Sequence, residues 1–219
     1  MSTTRRILLT MILLCVSRGL RAQETVSKGD VIIHINGVDA WDGHKFLLDI
    51  YVKQNTASIY YAFQDSINSE KLRKDANYQR VYANSIKYNV GNPQSKLAWD
   101  TINMLSEKHS VYTRDSKKIN LKTDTAYGHL IERVAKASKD ELAPDINANA
   151  KTTGHFIVVG DGNKVNLTII TSTEKRTISI HALQMKYQPL LAGFIKNTFE
   201  KKPDSSTVKK ILKWHSIDD

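Results

Sequence analysis

Residues 31–63 read VIIHINGVDAWDGHKFLLDIYVKQNTASIYYAF, and the alternation within them decides the fold class. Val31, Ile33 and Ile35 recur at period two, as do Phe46, Leu48, Ile50 and Val52, and then Ile59, Tyr61 and Phe63. A strand turns every second side chain to the same face, so each run predicts a half-buried strand. The turn-forming pair Asn36-Gly37 is expected to end the first run, and Val38–His44 and Gln54–Thr56 are short enough for hairpin connections. The residues left over face the other way. They include Ile32, His34, Leu47, Tyr51 and Tyr60, a mixed and aromatic-bearing set where a solvated strand face would be charged. These five are the candidate interaction surface, to be covered by one of the chain's own helices or by a partner.

Downstream the period changes. Pro93 suits the first turn of a helix on which Leu97, Thr101, Met104 and Leu105 would share the inward side. A second helix is expected with Thr123 or Thr125 as its cap and a buried stripe of Tyr127, Leu130, Ile131 and Val134 reaching to Leu142. Glu70 to Tyr82 predicts a less regular helix, and Pro144 with the polar stretch 145–153 predicts a loop. Strand signals return at Phe156–Val159, at Val165, Leu167 and Ile169 after the Asp161-Gly162 turn, and at Ile178 and Ile180. Pro189 then opens a helix carrying Leu190, Leu191, Phe194, Ile195, Thr198 and Phe199 inward, and Val208, Ile211 and Leu212 mark a short terminal helix after Pro203. The expected architecture is α+β: a mainly antiparallel sheet of about six strands, a central helical section and C-terminal helices, as a single domain over residues 23–219.

Residues 1–22 are read as a secretory signal peptide, with Arg5 and Arg6, the apolar stretch Ile7 to Val16 and the small residue Ala22 before a cleavage point at Gln23. The paired arginines also resemble a twin-arginine export signal, and the ending Leu20-Arg21-Ala22-Gln23 is similar to leaders of exported Bacteroidota proteins. The formal net charge is +10, and the four leader arginines carry 4 of it, leaving +6 on the mature chain. The one cysteine, Cys15, leaves with the leader, so the mature chain is expected to fold without disulfides in the periplasm or at the cell surface.

Motifs for chemistry are sparse. Lys28 to Asp39 resembles the Gly-Asp-x-Ile-x-x-Ile-Asn-Gly stretch of PDZ domains, but only Gln23 to Ser27 stand where that family places its peptide-binding strand, so no binding residues follow. Ser172-Thr173-Glu174-Lys175 and Ser206-Thr207-Val208-Lys209 fit Ser-x-x-Lys without the companion motifs in their order, and read as turn and cap residues. None of the seven histidines has metal-ligand spacing; Asp39, Asp42 and His44 around Trp41 form the one weak metal candidate. No cofactor motif occurs. Lys209, Lys210 and Lys213 beside Trp214 are the candidate anion-binding residues, for lipid or lipopolysaccharide headgroups or an acidic partner.

Together these features point to an exported bacterial binding or interaction protein without catalysis: an adaptor, an inhibitor or immunity-type partner, or a ligand-binding module. Its partner would be a protein or an envelope component, with peripheral contact to an anionic membrane surface, and not nucleic acid. The alternative is a cell-envelope hydrolase whose active site forms only on folding, drawing on Asp39, Asp42, His44, His155 and His181.

Overall fold

A computed structural model describes residues 26–38, 45–85, 93–147 and 163–201. The leader, the loop with Asp39, Asp42 and His44, the Phe156–Val159 strand with its turn, and the tail with Lys209, Lys210 and Lys213 all lie outside the described residues.

The three alternating runs form the expected meander of β1 (Val31–Val38), β2 (Lys45–Lys53) and β3 (Thr56–Ile67). Three helices follow, α1 (Ser69–Lys74), α2 (Ala76–Ser85) and α3 (Pro93–Lys108), before the chain returns as β4 (Ser110–Asn120). Next come α4 (Thr125–Lys136) and the short α5 (Lys139–Leu142), then the hairpin of β5 (Lys164–Ile170) and β6 (Lys175–His181), and finally α6 (Pro189–Glu200). The six strands lie in the order β4-β3-β2-β1-β5-β6, and every neighbouring pair is antiparallel. The α+β class with an antiparallel six-stranded sheet is thus as expected.

One face of the sheet makes the main core. Ile33, Ile35, Phe46, Leu48, Ile50, Ile59, Tyr61, Leu167 and Ile169 are buried there together with Ile131 and Val134 of α4 and Leu191, Phe194 and Phe199 of α6. The Phe199 ring meets those of Phe46 and Phe63 at centroid distances of 5.3 and 5.5 Å, and Tyr127 stacks on Phe194 at 6.2 Å. The polar ends of the buried tyrosines converge on one residue. Tyr61 donates to the Thr198 carbonyl at 2.9 Å; the Thr198 hydroxyl donates to the Phe194 carbonyl at 2.7 Å and so accepts from Tyr127, also at 2.9 Å. Burial first of all raises both phenols above their ordinary pKa, which keeps them neutral donors.

Several local expectations are corrected. Asn36-Gly37 is not a turn: β1 runs through it to Val38, and Gly37 pairs with Phe46. A Cβ at Gly37 would stand 2.0 Å from the Phe46 ring, so the glycine serves close approach inside a strand. Neither Thr123 nor Thr125 caps α4; the Asp124 carboxylate accepts from the Tyr127 amide at 3.2 Å and binds Lys201 at 2.7 Å, joining the start of α4 to the end of α6. The 70–82 segment is two helices. Asp75 ends α1 with extended backbone and accepts from the Asn77 and Tyr78 amides at the start of α2. On α3 the inward residues are Ser95, Ala98, Ile102 and Leu105, while Leu97 and Met104 are 69% and 63% exposed.

Candidate functional site

The second face of the sheet is where the five candidate surface residues lie. Register places Ser116, Tyr60, Asp49, His34, Thr168 and Thr177 in one row across all six strands, and Lys118, Ser58, Tyr51, Ile32, Ile170 and Lys175 in the next. Leu47, between Asn36 and Ala62, sits in a third. Ile32, His34, Leu47 and Tyr51 are half-buried and Tyr60 is 48% exposed.

Three of the five form a continuous aromatic ladder. The His34 and Tyr51 rings meet edge to face at 5.9 Å and 82°, and the Tyr51 and Tyr60 rings do so at 5.7 Å and 82°. Such contacts set a ring's positive edge against its neighbour's negative face and help to fix the orientation of the side chains. His34 Nδ1 is also held by Asp49 Oδ1 at 2.7 Å, a cross-strand pair on the same row. At one corner the face is covered: Lys45 and Tyr112 both bond to Glu107 near the end of α3, and Ala62 and Gln64 beneath are buried. Partial burial would raise the pKa of Glu107, but the hydrogen bonds from Lys45 and Tyr112 outweigh it and hold the carboxyl below its usual value.

The charge of this face is one-sided. Its strands present Lys53, Arg114, Lys118, Lys164 and Lys175 exposed, with Lys45 paired to Glu107, whereas the one strand carboxylate among the described residues on this face is Asp49, already joined to His34. Hydroxyls and amides fill the rest: Thr168 bonds Thr177 at 3.0 Å, and Ser179 donates to Asn166 at 2.6 Å.

A carboxylate-oriented imidazole is the geometry of a general base, which needs a free nucleophile within its reach. The hydroxyl facing His34 in register is that of Thr168, and it is engaged with Thr177. Ser172 lies in the β5–β6 turn, where Thr171 Oγ1 accepts from the Thr173 and Glu174 amides, so its Ser-x-x-Lys match is turn chemistry. Of the five residues suggested for a hydrolase site only His181 is described, and it is exposed at the end of β6. Among the described residues no three His, Cys, Asp or Glu side chains gather as a metal site, and no helix is long and apolar enough to cross a membrane.

Two further features were not read from the sequence. A cavity of about 400 Å³ opens between α4, α5 and α6, lined by Leu130, Arg133, Glu141, Pro189, Leu190 and Gly193. Its carboxylate is already committed, because Glu141 forms the reciprocal capping box of α5 with Ser138. The segment from the end of β3 to the start of β4 also exposes Ile67, Tyr82, Leu97, Trp99, Met104 and Val111. The signal for it, two apolar residues seven apart on a helix, was present but is shared by buried stripes. No family model matches the chain, and no curated protein or solved structure matches it.

Proposed function

We propose that the chain is an exported binding protein without catalysis that engages a protein or envelope component through the second face of its sheet. The observation that carries this reading is the His34–Tyr51–Tyr60 ladder: three rings locked edge to face on the side away from the main core, ending in a tyrosine that is about half exposed. Pre-oriented aromatic side chains bind at low entropic cost, which is why they dominate recognition surfaces. The leader-like residues 1–22 support export, and mature protein recovered outside the cytoplasm should begin at Gln23.

The test is comparative capture from the envelope and medium of the producing cell. Wild type and a control altered away from the face, Leu97→Ser, should retain the same component, and Tyr51→Ala/Tyr60→Ala should lose it while keeping its thermal midpoint. Capture that is equal for all three proteins removes the face from the function.

A further inference from the structure

The charge and chemistry of this face indicate what it binds. We propose that its ligand is an anionic polysaccharide, stacked on the exposed Tyr60 beside Tyr51 and paired with Lys53, Arg114, Lys118 and Lys175; this identification rests on the binding role proposed above. Five exposed strand cations stand against one strand carboxylate among the described residues, Asp49, which is hydrogen-bonded to His34, so the surface favours a polyanion. The cations stand on both sides of the ladder. Arg114 and Lys118 are on β4, Lys175 is on β6, and at about 4.8 Å per strand interval those edges are about 24 Å apart. That is the span of an extended chain lying across the strands.

The side chains between the charges select among polyanions. Sugar rings carry weakly positive C–H groups that settle against the negative face of a tyrosine, and their hydroxyls seek amide and hydroxyl partners. The remaining positions on β1, β5 and β6 supply these as Asn36, Asn166, Thr168, Thr177 and Ser179. A single-stranded nucleic acid would instead stack successive bases on a series of aromatic faces, and Tyr51 stands at 82° to both of its neighbours, interrupting any such series. A lipid surface requires several apolar side chains that protrude, whereas Ile32, Leu47 and Ile170 are half-buried and the exposed positions other than Tyr60 are charged or polar.

The experiment uses the full mature chain with immobilised polygalacturonate as probe, and with poly-L-glutamate, oligo-deoxythymidine and neutral dextran beside it. Polygalacturonate should bind and dextran should bind weakly or not at all. Binding should fall as ionic strength rises from about 0.01 to 0.1 M, where the screening length drops from about 30 to 10 Å. Tyr51→Ala/Tyr60→Ala and Lys53→Gln/Lys118→Gln/Lys175→Gln should each weaken it by about tenfold or more, as expected for the loss of central contacts. If the tyrosine pair fails to fold, Tyr60→Ser alone should still weaken binding, because that side chain is half exposed. The proposal is overturned if polygalacturonate does not bind, if poly-L-glutamate binds as tightly and is indifferent to the tyrosines, or if oligo-deoxythymidine binds more tightly. Should envelope capture depend on the tyrosines while polygalacturonate fails, the ligand class is wrong and the binding face stands. Should both be indifferent to the tyrosines, the face itself fails.

Discussion

At the residue scale, stability rests on a few positions whose neighbours leave them no alternative. Thr198 is fully buried, and its hydroxyl both accepts from Tyr127 and donates to Phe194. Thr198→Val keeps the shape but leaves a buried phenol without its partner, which costs about 1–3 kcal/mol. In urea denaturation the pair Tyr127→Phe/Thr198→Val should lose less than the sum of the single changes, because the orphaned group is gone; strict additivity would show that the hydroxyls are not coupled. Gly37→Ala should cost about 1–3 kcal/mol or more, since a methyl group there collides with the Phe46 ring in the middle of the core. A wild-type thermal midpoint in that variant would mean that the ring can move aside. Asp75 provides a pH test. Hydrogen bonds from Lys108 at 3.0 Å and His109 at 3.1 Å hold its carboxyl far below the ordinary 3.8. A carboxyl depressed in the folded state stabilises fully above its unfolded pKa and loses that contribution as pH falls toward the folded one. The stability gap between wild type and Asp75→Asn should therefore be constant above about pH 5 and narrow as acid passes below 3.8. A gap unchanged down to acid unfolding would remove these hydrogen bonds from the account.

At the element scale, α3 separates what a hydrophobic pattern can predict from what it cannot. Two stripes on that helix have apolar members at helical spacing, Leu97 with Met104 and Ala98 with Ile102 and Leu105, and nothing in the sequence ranks them. The fold buries the second. Ile102→Ala should thus cost about 2–5 kcal/mol, whereas Leu97→Ser and Met104→Gln should each stay within about 0.5 kcal/mol. Thermal melts giving the reverse order would restore the stripe read from the sequence. Strands with a clear two-residue alternation were legible because one face of each is buried, as in β2, β5 and β6. β4 was not legible, since Ile119 is its one buried residue and an edge strand needs no alternating apolar row. The ladder of His34, Tyr51 and Tyr60 was legible as a set of leftovers from the alternation. Its edge-to-face geometry, the Asp49 contact and the basic rim on β4 and β6 depend on strand order, which no local pattern encodes.

At the scale of the molecule, the two regions between strands contribute unequally to the core. α4, α5 and α6 close one face of the sheet, and their buried side chains belong to the same cluster as those of β1, β2 and β5. The α1–α3 segment does not. Leu72, Ala98, Ile102 and Leu105 are buried but stand outside that cluster, and the ties from the segment to the sheet include polar ones: Lys45 and Tyr112 bond to Glu107, and the Ser110 hydroxyl donates to the Ser106 carbonyl at 2.9 Å. Polar contacts near solvent contribute little net stability, and a small apolar cluster opens at lower free energy than a large one. The segment should therefore unfold as a unit before the sheet does. In native-state hydrogen exchange at increasing sub-denaturing urea, amides of α2 and α3 should merge into a common opening well below the global free energy. Those of β1, β2 and β5 should exchange only through global unfolding. If the α3 amides near Ile102 share the opening free energy and urea dependence of β2, the segment is cooperatively part of the core and its polar ties are stronger than their exposure implies.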